Sequence, residues 1–293
     1  MRTLRTVPGV RTALRPARRA DRAIGLVPTM GALHEGHLSL IRAARDQTHE
    51  VVVSLFVNPS QFDDADDLAA YPRDEERDAA LAQEAGADIL FAPPPEIMYP
   101  PGFSTEVRVG GPLTETLEGA HRGPEHFHGV TTVVTKLLNI VQPDAAYFGQ
   151  KDAQQALVIR KLVRDLDMEV RIEIEPTVRE DDGLALSSRN ARLRGDNRRR
   201  ALALSRALEA AQQAAAGGER DAAAIAQLAR AQMQELQVEP DYLELVDPED
   251  LTPVHALRGD TLVAVAARIG EVRLIDNTVI IIDGDAEVAT LLP

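Results

Sequence analysis

The sequence predicts an α/β fold, with a doubly wound parallel sheet followed by a smaller C-terminal α+β domain. Short apolar segments bounded by turn residues alternate with helical segments between residues 24 and 175, and such repeats build parallel sheets covered on both faces. After Asn190 the composition changes to helices rich in alanine, arginine and glutamine, followed by short strands. A chain of 293 residues has room for two domains, which we expect at 1–178 and 179–293.

The elements of the first domain follow from apolar segments and helical spacing. Residues 51–57 are apolar except for Ser54, as expected of a central strand. The alternation of apolar and charged residues in 170–175 favours a strand with one solvated face. The predicted strands are 24–28, 51–57, 89–92, 145–148 and 170–175, and the predicted helices are 38–45, 74–85, 132–141 and 154–166.

The second domain is predicted to begin with two alanine-rich helices, 197–216 and 221–236, separated by Gly217 and Gly218. Three short strands follow them, at 242–246, 261–267 and 279–282. This order of elements is typical of an α+β domain.

Charge and composition exclude several classes of function. The chain has 32 basic and 46 acidic residues, a formal charge of −14, which is the wrong sign for neutralising nucleic-acid phosphates. The absence of cysteine excludes disulfides, thiolate metal sites and cysteine nucleophiles. Residues 1–20 carry scattered arginines interrupted by Pro8 and Pro16, so they do not read as a secretory signal. No apolar segment approaches the roughly 20 residues of a membrane span, and we expect a cytoplasmic protein without nucleic-acid or membrane partners.

A loop of small residues with two histidines follows the first predicted strand, in the segment GLVPTMGALHEGH at residues 25–37. At the carboxyl end of a parallel strand, the next helix offers unpaired N–H groups and a partial positive charge. Gly31 and Gly36 allow the main chain to approach a nucleotide closely. His34 and His37 share one face of the helix start, from which imidazoles can donate to phosphate oxygens. The alternative is a pair of surface histidines, and the GxxxxGK[ST] and GxGxxG motifs are absent from the sequence.

Six segments, in order along the chain, resemble one enzyme family. They read VPTMGALHEGHLSLI from residue 27, FVNPSQF from 56, DLAAYPRD from 67, NIVQPDAAYFGQKDAQQ from 139, LALSSRN from 184 and RIGEVRLIDN from 268. On these motifs the chain resembles the pantoate–β-alanine ligases of the nucleotidyltransferase superfamily. The resemblance implies a Rossmann-like N-terminal domain, a homodimer and an ATP-dependent carbon–nitrogen ligase whose ATP is accompanied by Mg²⁺.

The reaction that the resemblance implies has two steps. ATP and (R)-pantoate give pantoyl adenylate and pyrophosphate, and β-alanine then displaces AMP to form (R)-pantothenate. His34 and His37 match the HxGH signature of the family and are the implied catalytic residues, with His37 the expected proton donor. The residues implied to bind ATP are Met30, Gly31, Ala32, Leu33, His34, Glu35, Gly36, His37, Gly149, Gln150, Lys151, Asp152, Val178, Leu186, Ser187, Ser188 and Arg189.

Two glutamines are implied to bind pantoate. Gln61 ends the NPSQ motif and Gln155 ends KDAQQ. Their amides both donate and accept hydrogen bonds, which suits a substrate with two hydroxyls and a carboxylate. The family also places Gln61 near β-alanine.

Charged and hydroxyl side chains are implied to hold the phosphates and the metal. Lys151 can neutralise phosphate, and Asp152 can accept from ribose hydroxyls or hold hydrated magnesium. We expect Ser187, Ser188 and Arg189 to form a phosphate clamp. They lie on the second domain, which we expect to act as a lid with a hinge at 178–184. The alternative for this segment is an ordinary polar turn with serine as a helix N-cap.

One segment departs from the family pattern. Relatives typically read RPGHFxGV, whereas residues 122–130 read RGPEHFHGV, one residue longer with glycine and proline exchanged. The conformation of this loop and any role of Arg122 are therefore not predicted. His126 and His128 have the spacing of metal ligands, but no third ligand is evident in the sequence.

Two other functions remain open from the residues alone. A nucleotidyltransferase that moves AMP or CMP onto a phosphate-bearing acceptor explains the histidines and the serine segment, but not the Gln61 and Gln155 motifs. The other is a nucleotide sensor without turnover. The two histidines, Lys151 and the serine clamp argue against it, because a sensor does not need all three.

Overall fold

A computed structural model of the chain describes residues 1–62 and 65–282. By its internal contacts the chain divides into two compact units. The first unit comprises Met1–Gly149 and Gln154–Glu175, and the second comprises Gln150–Ala153 and the described residues from Pro176 onward. Residues 283–293, which the sequence assigns to the C-terminal domain, lie outside the described residues.

The first unit contains a parallel sheet, which has six strands among the described residues. Its order is β1-β4-β3-β2-β5-β6, and every pairing is parallel. The strands are β1 (Arg2–Leu4), β2 (Ile24–Thr29), β3 (Glu50–Leu55), β4 (Ile89–Phe91), β5 (Ala145–Gly149) and β6 (Arg171–Glu175). The predicted fold class is thereby confirmed.

Both faces of the central strands are buried, which explains their apolar composition. Val51, Val52 and Val53 are fully buried although successive side chains point to opposite faces. Val51 and Val53 belong to an apolar cluster that includes Ile41 of the preceding helix. Burial on both faces is the property expected of a parallel sheet between two layers of helices.

Helices connect the strands of this unit. They are α1 (Val7–Arg19), α2 (Glu35–Gln47), α3 (Ala65–Ala70), α4 (Glu75–Glu84), α5 (Pro95–Met98), α6 (Pro112–Glu115), α7 (Glu118–Arg122), α8 (Pro124–Val141) and α9 (Ala153–Asp165), with a short 3₁₀ helix at Pro59–Gln61. Helix α2 packs against β2, β3 and β5, and α8 contacts α1 and β2.

The order of the strands reverses at β2. The chain passes from β2 to β3 and β4 on one side and later returns to β5 on the other side. The carboxyl ends of β2 and β5, at Thr29 and Gly149, therefore form a topological switch point. Ligands of open parallel sheets bind at such points.

The N-terminal residues form a strand and a helix that were not predicted from the sequence. They include β1 and α1, and α1 contains both Pro8 and Pro16. Thr6 caps α1 by accepting a hydrogen bond from the Gly9 N–H at 3.2 Å. Pro8 lies in the first turn, where no intrahelical partner is needed for its nitrogen, and Val10 and Leu14 are buried one turn apart.

The second unit combines helices with an antiparallel sheet of order β7-β8-β9. Its elements are 3₁₀ helices at Gln150–Asp152 and Ser188–Arg192, helices α10 (Asp196–Arg200), α11 (Leu202–Ala216) and α12 (Ala222–Glu235), and strands β7 (Pro240–Val246), β8 (Thr261–Ile269) and β9 (Val272–Ile280). Helices α11 and α12 pack together and cover the sheet with alanine and leucine side chains.

Two predictions for this unit are wrong in their boundaries. The helix predicted at 197–216 is divided at Ala201 into α10 and α11. The strand predicted at 279–282 begins at Val272, because Gly270, with φ +61°, turns the chain directly back from β8 into β9. Most of β9 was not predicted because its polar residues interrupt the apolar pattern. In the structure Arg273 pairs with Asp241, and Asp276 pairs with Arg179.

In the described part of the chain, no helix is long and apolar enough to cross a membrane.

Candidate active site

The two histidines of the HEGH motif stand at the start of α2. His34 is the N-cap residue, in extended conformation, and its Nδ1 accepts a hydrogen bond from the Gly36 N–H at 3.2 Å. The Nδ1 of His37 accepts from the His34 N–H at 3.4 Å, so each ring caps part of the helix. Helix α2 therefore begins at Glu35, three residues before the predicted start at residue 38.

This capping decides where the imidazole protons lie. A neutral imidazole whose Nδ1 accepts a hydrogen bond carries its proton on Nε2. The rings of His34 and His37 are both half-buried, with centroids 4.2 Å apart. The start of α2 thus has two neighbouring Nε2–H donors beside the positive end of the helix dipole, a combination that favours anionic groups.

A buried carboxylate holds the loop between β2 and α2. Asp78, on α4, is 1% exposed and accepts hydrogen bonds from the N–H groups of Ala32 and Leu33, both at 2.8 Å. Gly31 has φ +92°, and a Cβ there would lie 2.9 Å from Leu55 Cδ1 and 3.0 Å from Asp78 Oδ2. The loop conformation therefore requires both Gly31 and Asp78.

Asp78 was not predicted from the sequence as a site residue. The sequence feature that could have identified it is its position on the apolar face of α4. Asp78, Ala82 and Ala85 recur there at helical spacing, and all three are buried. A charged residue among buried alanines indicates a specific partner, because isolated buried carboxylates are costly.

Gln61 is held by its neighbours in the NPSQ motif and by α8. Asn58 Nδ2 donates to Gln61 Oε1 at 3.0 Å, and His126 Nδ1 lies 2.8 Å from the Gln61 carbonyl oxygen. Gly129 allows α8 to approach this segment, since a Cβ there would lie 2.2 Å from the carbonyl oxygen of Ser60. The function of Asn58 was not identified from the sequence, although the motif that contains it was.

The segment that departs from the family pattern forms the junction between α7 and α8. Gly123 has φ +86° and is followed by Pro124 as the first residue of α8, which explains the order glycine then proline. Arg122 ends α7 and pairs with Glu118, with Nε and Oε2 3.4 Å apart. His126 is 8% exposed and contacts the Gln61 main chain.

The two glutamines of KDAQQ have different environments. Gln154 is 6% exposed and its amide makes three main-chain hydrogen bonds, to Glu118 N, Leu113 O and Thr116 O. Gln155, the predicted pantoate ligand, is half-buried. Gln154 thus has a structural role in fixing the α6–α7 segment, and Gln155 is the more accessible of the two.

The residues after β5 are fixed by Asn277 of β9. Asn277 Nδ2 donates to the carbonyl oxygens of Gln150 and Lys151, at 2.8 and 3.0 Å. The Gln150 side chain is 4% exposed and donates to Asn277 Oδ1 at 3.4 Å. Lys151 Nζ lies 3.4 Å from Oδ1 of the more exposed Asp152.

The predicted phosphate clamp follows a short antiparallel turn. The Leu186 N–H donates to the Val178 carbonyl at 2.9 Å. Arg179 holds this turn through paired bonds to Asp276, at 2.6 and 3.0 Å, and a third to Gly183 O. Ser187 Oγ then accepts from the Arg189 N–H at 3.3 Å and caps the 3₁₀ helix Ser188–Arg192.

Three predicted site segments leave from adjacent strands of the parallel sheet. Gln61 follows β3, His34 and His37 follow β2, and Gly149 ends β5, in the strand order β3-β2-β5. The carboxyl ends of neighbouring parallel strands meet at one edge of a sheet. Val178, Leu186, Ser187, Ser188 and Arg189 belong to the second unit.

The chain matches proteins of one family over nearly its whole length. The family model described as pantoate–β-alanine ligase matches residues 2–279. A pantothenate synthetase of Moorella thermoacetica is 54% identical, with 96% of this chain and 99% of the relative covered. One of Koribacter versatilis is 52% identical, with 98% of each chain covered.

Solved structures of similar proteins share the fold. A crystal structure of pantothenate synthetase from Thermus thermophilus has a TM-score of 0.89 and 49% identity, covering 94% of this chain and 98% of that chain. A pantoate–β-alanine ligase from Francisella tularensis, complexed with β,γ-ATP and β-alanine, has a TM-score of 0.77 and 32% identity, covering 94% and 97%. The parallel sheet with the HEGH motif at its switch point and these matches lead to one conclusion: the chain belongs to the pantoate–β-alanine ligase family.

Proposed function

We propose that this chain joins (R)-pantoate to β-alanine at the expense of ATP, through a pantoyl adenylate. The observation that carries the proposal is the histidine pair, which presents two N–H donors at the positive end of α2, at the sheet edge where parallel-sheet ligands bind. The match to the pantoate–β-alanine ligase model over residues 2–279 supports it.

In the first step a pantoate carboxylate oxygen attacks the α-phosphorus of ATP, and the bond to the leaving pyrophosphate breaks. No strong base is required, because a carboxylic acid with a pKa of about 4 is already ionised at neutral pH. The reaction needs alignment and stabilisation of the charge that grows on the phosphoryl oxygens. The Nε2–H groups of His34 and His37 supply such donors.

In the second step the uncharged amine of β-alanine attacks the acyl carbon of the adenylate. The new C–N bond replaces the C–O bond, AMP leaves as an anion, and the nitrogen loses a proton. The same N–H donors stabilise the departing phosphate. Water must be kept away from the acyl adenylate, which it would otherwise hydrolyse.

The proposed ATP contacts divide between main chain and side chains. We assign residues 30–37 to ATP, mainly through main-chain groups, in a loop that Asp78 fixes by accepting from the N–H groups of Ala32 and Leu33. We assign Lys151 to phosphate, and Val178 and Leu186 to the region of the adenine. Gly149, Gln150, Ser187, Ser188 and Arg189 complete the proposed set.

We propose that Mg²⁺ accompanies ATP, as in the family. Among residues 1–62 and 65–282, no three histidine or acidic residues lie close enough to hold a metal by themselves. Mg²⁺ is commonly held by one or two carboxylates together with substrate phosphates. The half-exposed carboxylate of Asp152, beside Lys151, fits that arrangement, and the ion would neutralise phosphate charge there.

Gln61 and Gln155 are the proposed pantoate ligands, with Gln61 also near β-alanine. The hydrogen bond from Asn58 and the contact with His126 hold Gln61 in place before substrate arrives. Prior fixation of this kind lowers the entropy lost on binding. We also expect a homodimer, which light scattering on the purified protein would test.

The decisive assay is pyrophosphate release from ATP, with pantoate present or absent and with β-alanine present or absent. Release that requires pantoate supports the proposal, and formation of pantothenate must require β-alanine. Release that requires a phosphate-bearing acceptor would instead identify a nucleotidyltransferase. No turnover with any acceptor would favour a nucleotide sensor.

The His37→Ala variant tests the histidine pair directly. Loss of one preorganised donor lowers the rate by roughly 10²–10³-fold, while ATP still binds. His255→Ala is the matched control, since its side chain is exposed on the second unit. Undiminished adenylate formation by His37→Ala would remove this residue from the mechanism.

A further inference from the structure

Asn190 ties the predicted phosphate clamp, Ser187–Arg189, to the turn that precedes it. Its Nδ2 donates to the Ala185 carbonyl oxygen at 3.0 Å and to Glu180 Oε1 at 2.8 Å. Ala185 lies before the clamp and Asn190 directly after it, so the first hydrogen bond closes a loop around the clamp. The second reaches the other arm of the turn, because Ala185 pairs with Arg179 and Glu180 follows Arg179.

The carbonyl of Ala185 decides the direction of the Asn190 amide. A main-chain carbonyl can only accept a hydrogen bond, so the Asn190 atom that faces it is the nitrogen. The contact with Glu180 is therefore an N–H donation to a carboxylate. Among the described residues, Asn190 Oδ1 is buried without a hydrogen-bond partner. Because an unsatisfied buried acceptor is unfavourable, the stabilising part of this side chain is its pair of N–H donations.

Glu180 is an acceptor shared by the clamp and by helix α10. Its Oε1 accepts from Asn190, and its Oε2 accepts from the guanidinium of Arg198 on α10 at 2.7 Å. The same Arg198 nitrogen donates to Oδ1 of Asp182 in the turn, at 3.1 Å. The side chains of Glu180 and Arg198 are 32% and 30% exposed, so solvent only partly screens their attraction. Through Glu180, the clamp is thus joined to α10.

Arg198 also compensates the negative charge of the turn. Glu180, Asp181 and Asp182 are consecutive acidic residues shortly before the clamp, and like charge would oppose the binding of phosphate groups there. The hydrogen bond from Arg198 holds the pKa of the Asp182 carboxyl below its ordinary value, and the same contact raises the pKa of the guanidinium. Arg198 therefore sets its positive charge against two of the three carboxylates.

We propose that Asn190, Glu180 and Arg198 are positioning residues that fix the conformation of the phosphate clamp before ATP binds. The inference rests on the proposed function and deepens it by naming the residues through which the clamp is held. Each of the three acts through hydrogen bonds within the second unit. Fixing a loop in its binding conformation lowers the entropy lost on binding, so their loss should weaken ATP binding selectively.

Reversal of the hydrogen bond between Asn190 and Glu180 tests the proposal. Asn190→Asp sets two carboxylates against each other, and Glu180→Gln leaves one acceptor oxygen for two donors. In the double variant the new glutamine can donate to the new aspartate and accept from Arg198, so the hydrogen bond returns in the opposite direction.

Pyrophosphate release measures the effect of these three variants. We expect a KM for ATP about tenfold higher in each single variant and a smaller rise in the double variant than in Asn190→Asp. The KM for pantoate should stay within about twofold of wild type in all three. A merely structural role would lower the urea midpoint of unfolding and the fraction of active protein, and hence kcat, without this selective change in KM.

Additive effects of the two substitutions would overturn the inference, as would equal rises of both KM values or no change in either. If the wild-type protein forms adenylate but the variants give one of these results, only the inference fails. If the wild-type protein releases no pyrophosphate from ATP with pantoate, the proposed function and the inference fail together.

Arg198→Lys and Arg198→Met test the third residue. Lysine keeps a positive charge beside Glu180 and Asp182, whereas methionine removes it. We expect a KM for ATP about tenfold higher in the methionine variant and an intermediate value in the lysine variant. A wild-type KM for ATP in Arg198→Met would contradict the proposal. If Asn190→Asp does not fold, this pair and Glu180→Gln still decide it.

Asp181→Asn and Arg199→Met are the matched controls. Asp181 is an exposed carboxylate between the two that Arg198 binds, and the exposed Arg199 pairs with Asp196 of its own helix at 2.9 Å. Each control removes one charge, as the test variants do, and both should leave the two KM values unchanged. A rise in the KM for ATP equal to that of Arg198→Met would show that any loss of charge in this region has the same effect, against the inference.

Discussion

Asn277 of β9 donates its side-chain amide to the carbonyl oxygens of Gln150 and Lys151, at 2.8 and 3.0 Å. The neighbouring Asp276 pairs with Arg179, which holds the turn before Ser187. Two adjacent residues of one strand therefore fix both segments of the second unit that we assign to ATP. Both residues are less than 5% exposed, so their effect on ATP is indirect.

Asn277→Asp should weaken ATP binding. The new carboxylate would face the carbonyl oxygens of Gln150 and Lys151, which repel it. These two oxygens would also lose the hydrogen bonds that the Asn277 amide donates to them. We expect a KM for ATP about tenfold higher and a smaller change for pantoate, measured by pyrophosphate release.

The control for this substitution is Gln212→Glu, an exposed amide on α11 that bonds Thr278 of the same strand. It should leave both KM values unchanged. An unaltered KM for ATP in Asn277→Asp would mean that the position of Lys151 does not govern ATP binding.

Asp78→Asn should loosen the loop that precedes His34. The wild-type carboxylate accepts hydrogen bonds from the N–H groups of Ala32 and Leu33. In the variant, the NH₂ group of the asparagine would face one of these two donors. Leaving a buried donor unsatisfied costs about 1–3 kcal/mol, which urea unfolding measures, and kcat should fall as the loop loses its conformation.

Glu76→Gln, on an exposed position of the same helix, is the control and should change neither stability nor kcat. If Asp78→Asn matches wild type in both measurements, the carboxylate does not hold the loop.

Gly129→Ala should displace α8 from the Gln61 segment. Its Cβ would lie 2.2 Å from the Ser60 carbonyl oxygen and 2.8 Å from the Gln61 nitrogen. Overpacking of this kind costs about 1–3 kcal/mol, and the KM for pantoate should rise with it.

Gly110→Ala provides the comparison, since a Cβ there meets no atom of the described residues within 4 Å. It should unfold at the same urea concentration as wild type. Equal stability of the two variants would show that α8 moves without cost.

Glu175→Gln should stabilise the protein only at higher pH. Burial, and then the negative charge of Glu173, raise the pKa of the Glu175 carboxyl above its ordinary value. A folded-state pKa above the unfolded value means that folding stability falls as pH rises from the unfolded pKa through the folded one. The glutamine variant avoids that loss, so its unfolding midpoint should exceed that of wild type at pH 8 and match it below pH 4.

Glu169→Gln serves as the control, because Glu169 is exposed near the start of the same strand. Its unfolding midpoint should follow wild type at both pH values. A gain for Glu175→Gln that is equal at pH 4 and pH 8 would exclude charge burial as its cause.

Elements with strong local patterns were predictable from the sequence. The apolar strands β2 and β3 were found because burial on both faces leaves a continuous apolar segment. Strand β9 was misplaced because its Arg273, Asp276 and Asn277 interrupt the apolar pattern, and their partners lie far along the chain. Helix α1 was not predicted, and it accommodates Pro8 in its first turn and Pro16 in its interior.

The residues of the candidate site were also only partly predictable from the sequence. The motifs containing His34, His37, Gln61 and Lys151 were recognisable, and the ligand contacts of these residues stay predictions. Asp78 and Asn277 carry no local signature of their roles, because each bonds main-chain groups far along the chain.

By itself the sequence determined the alternation of strands and helices and the family motifs, because these depend on residues close together along the chain. Only the tertiary structure decided which way the Asn58 amide points and which carboxylate holds the loop before His34. The physical reason is that a hydrogen bond has a direction set by its partner, and here those partners, Gly129 and Asp78, come from distant helices.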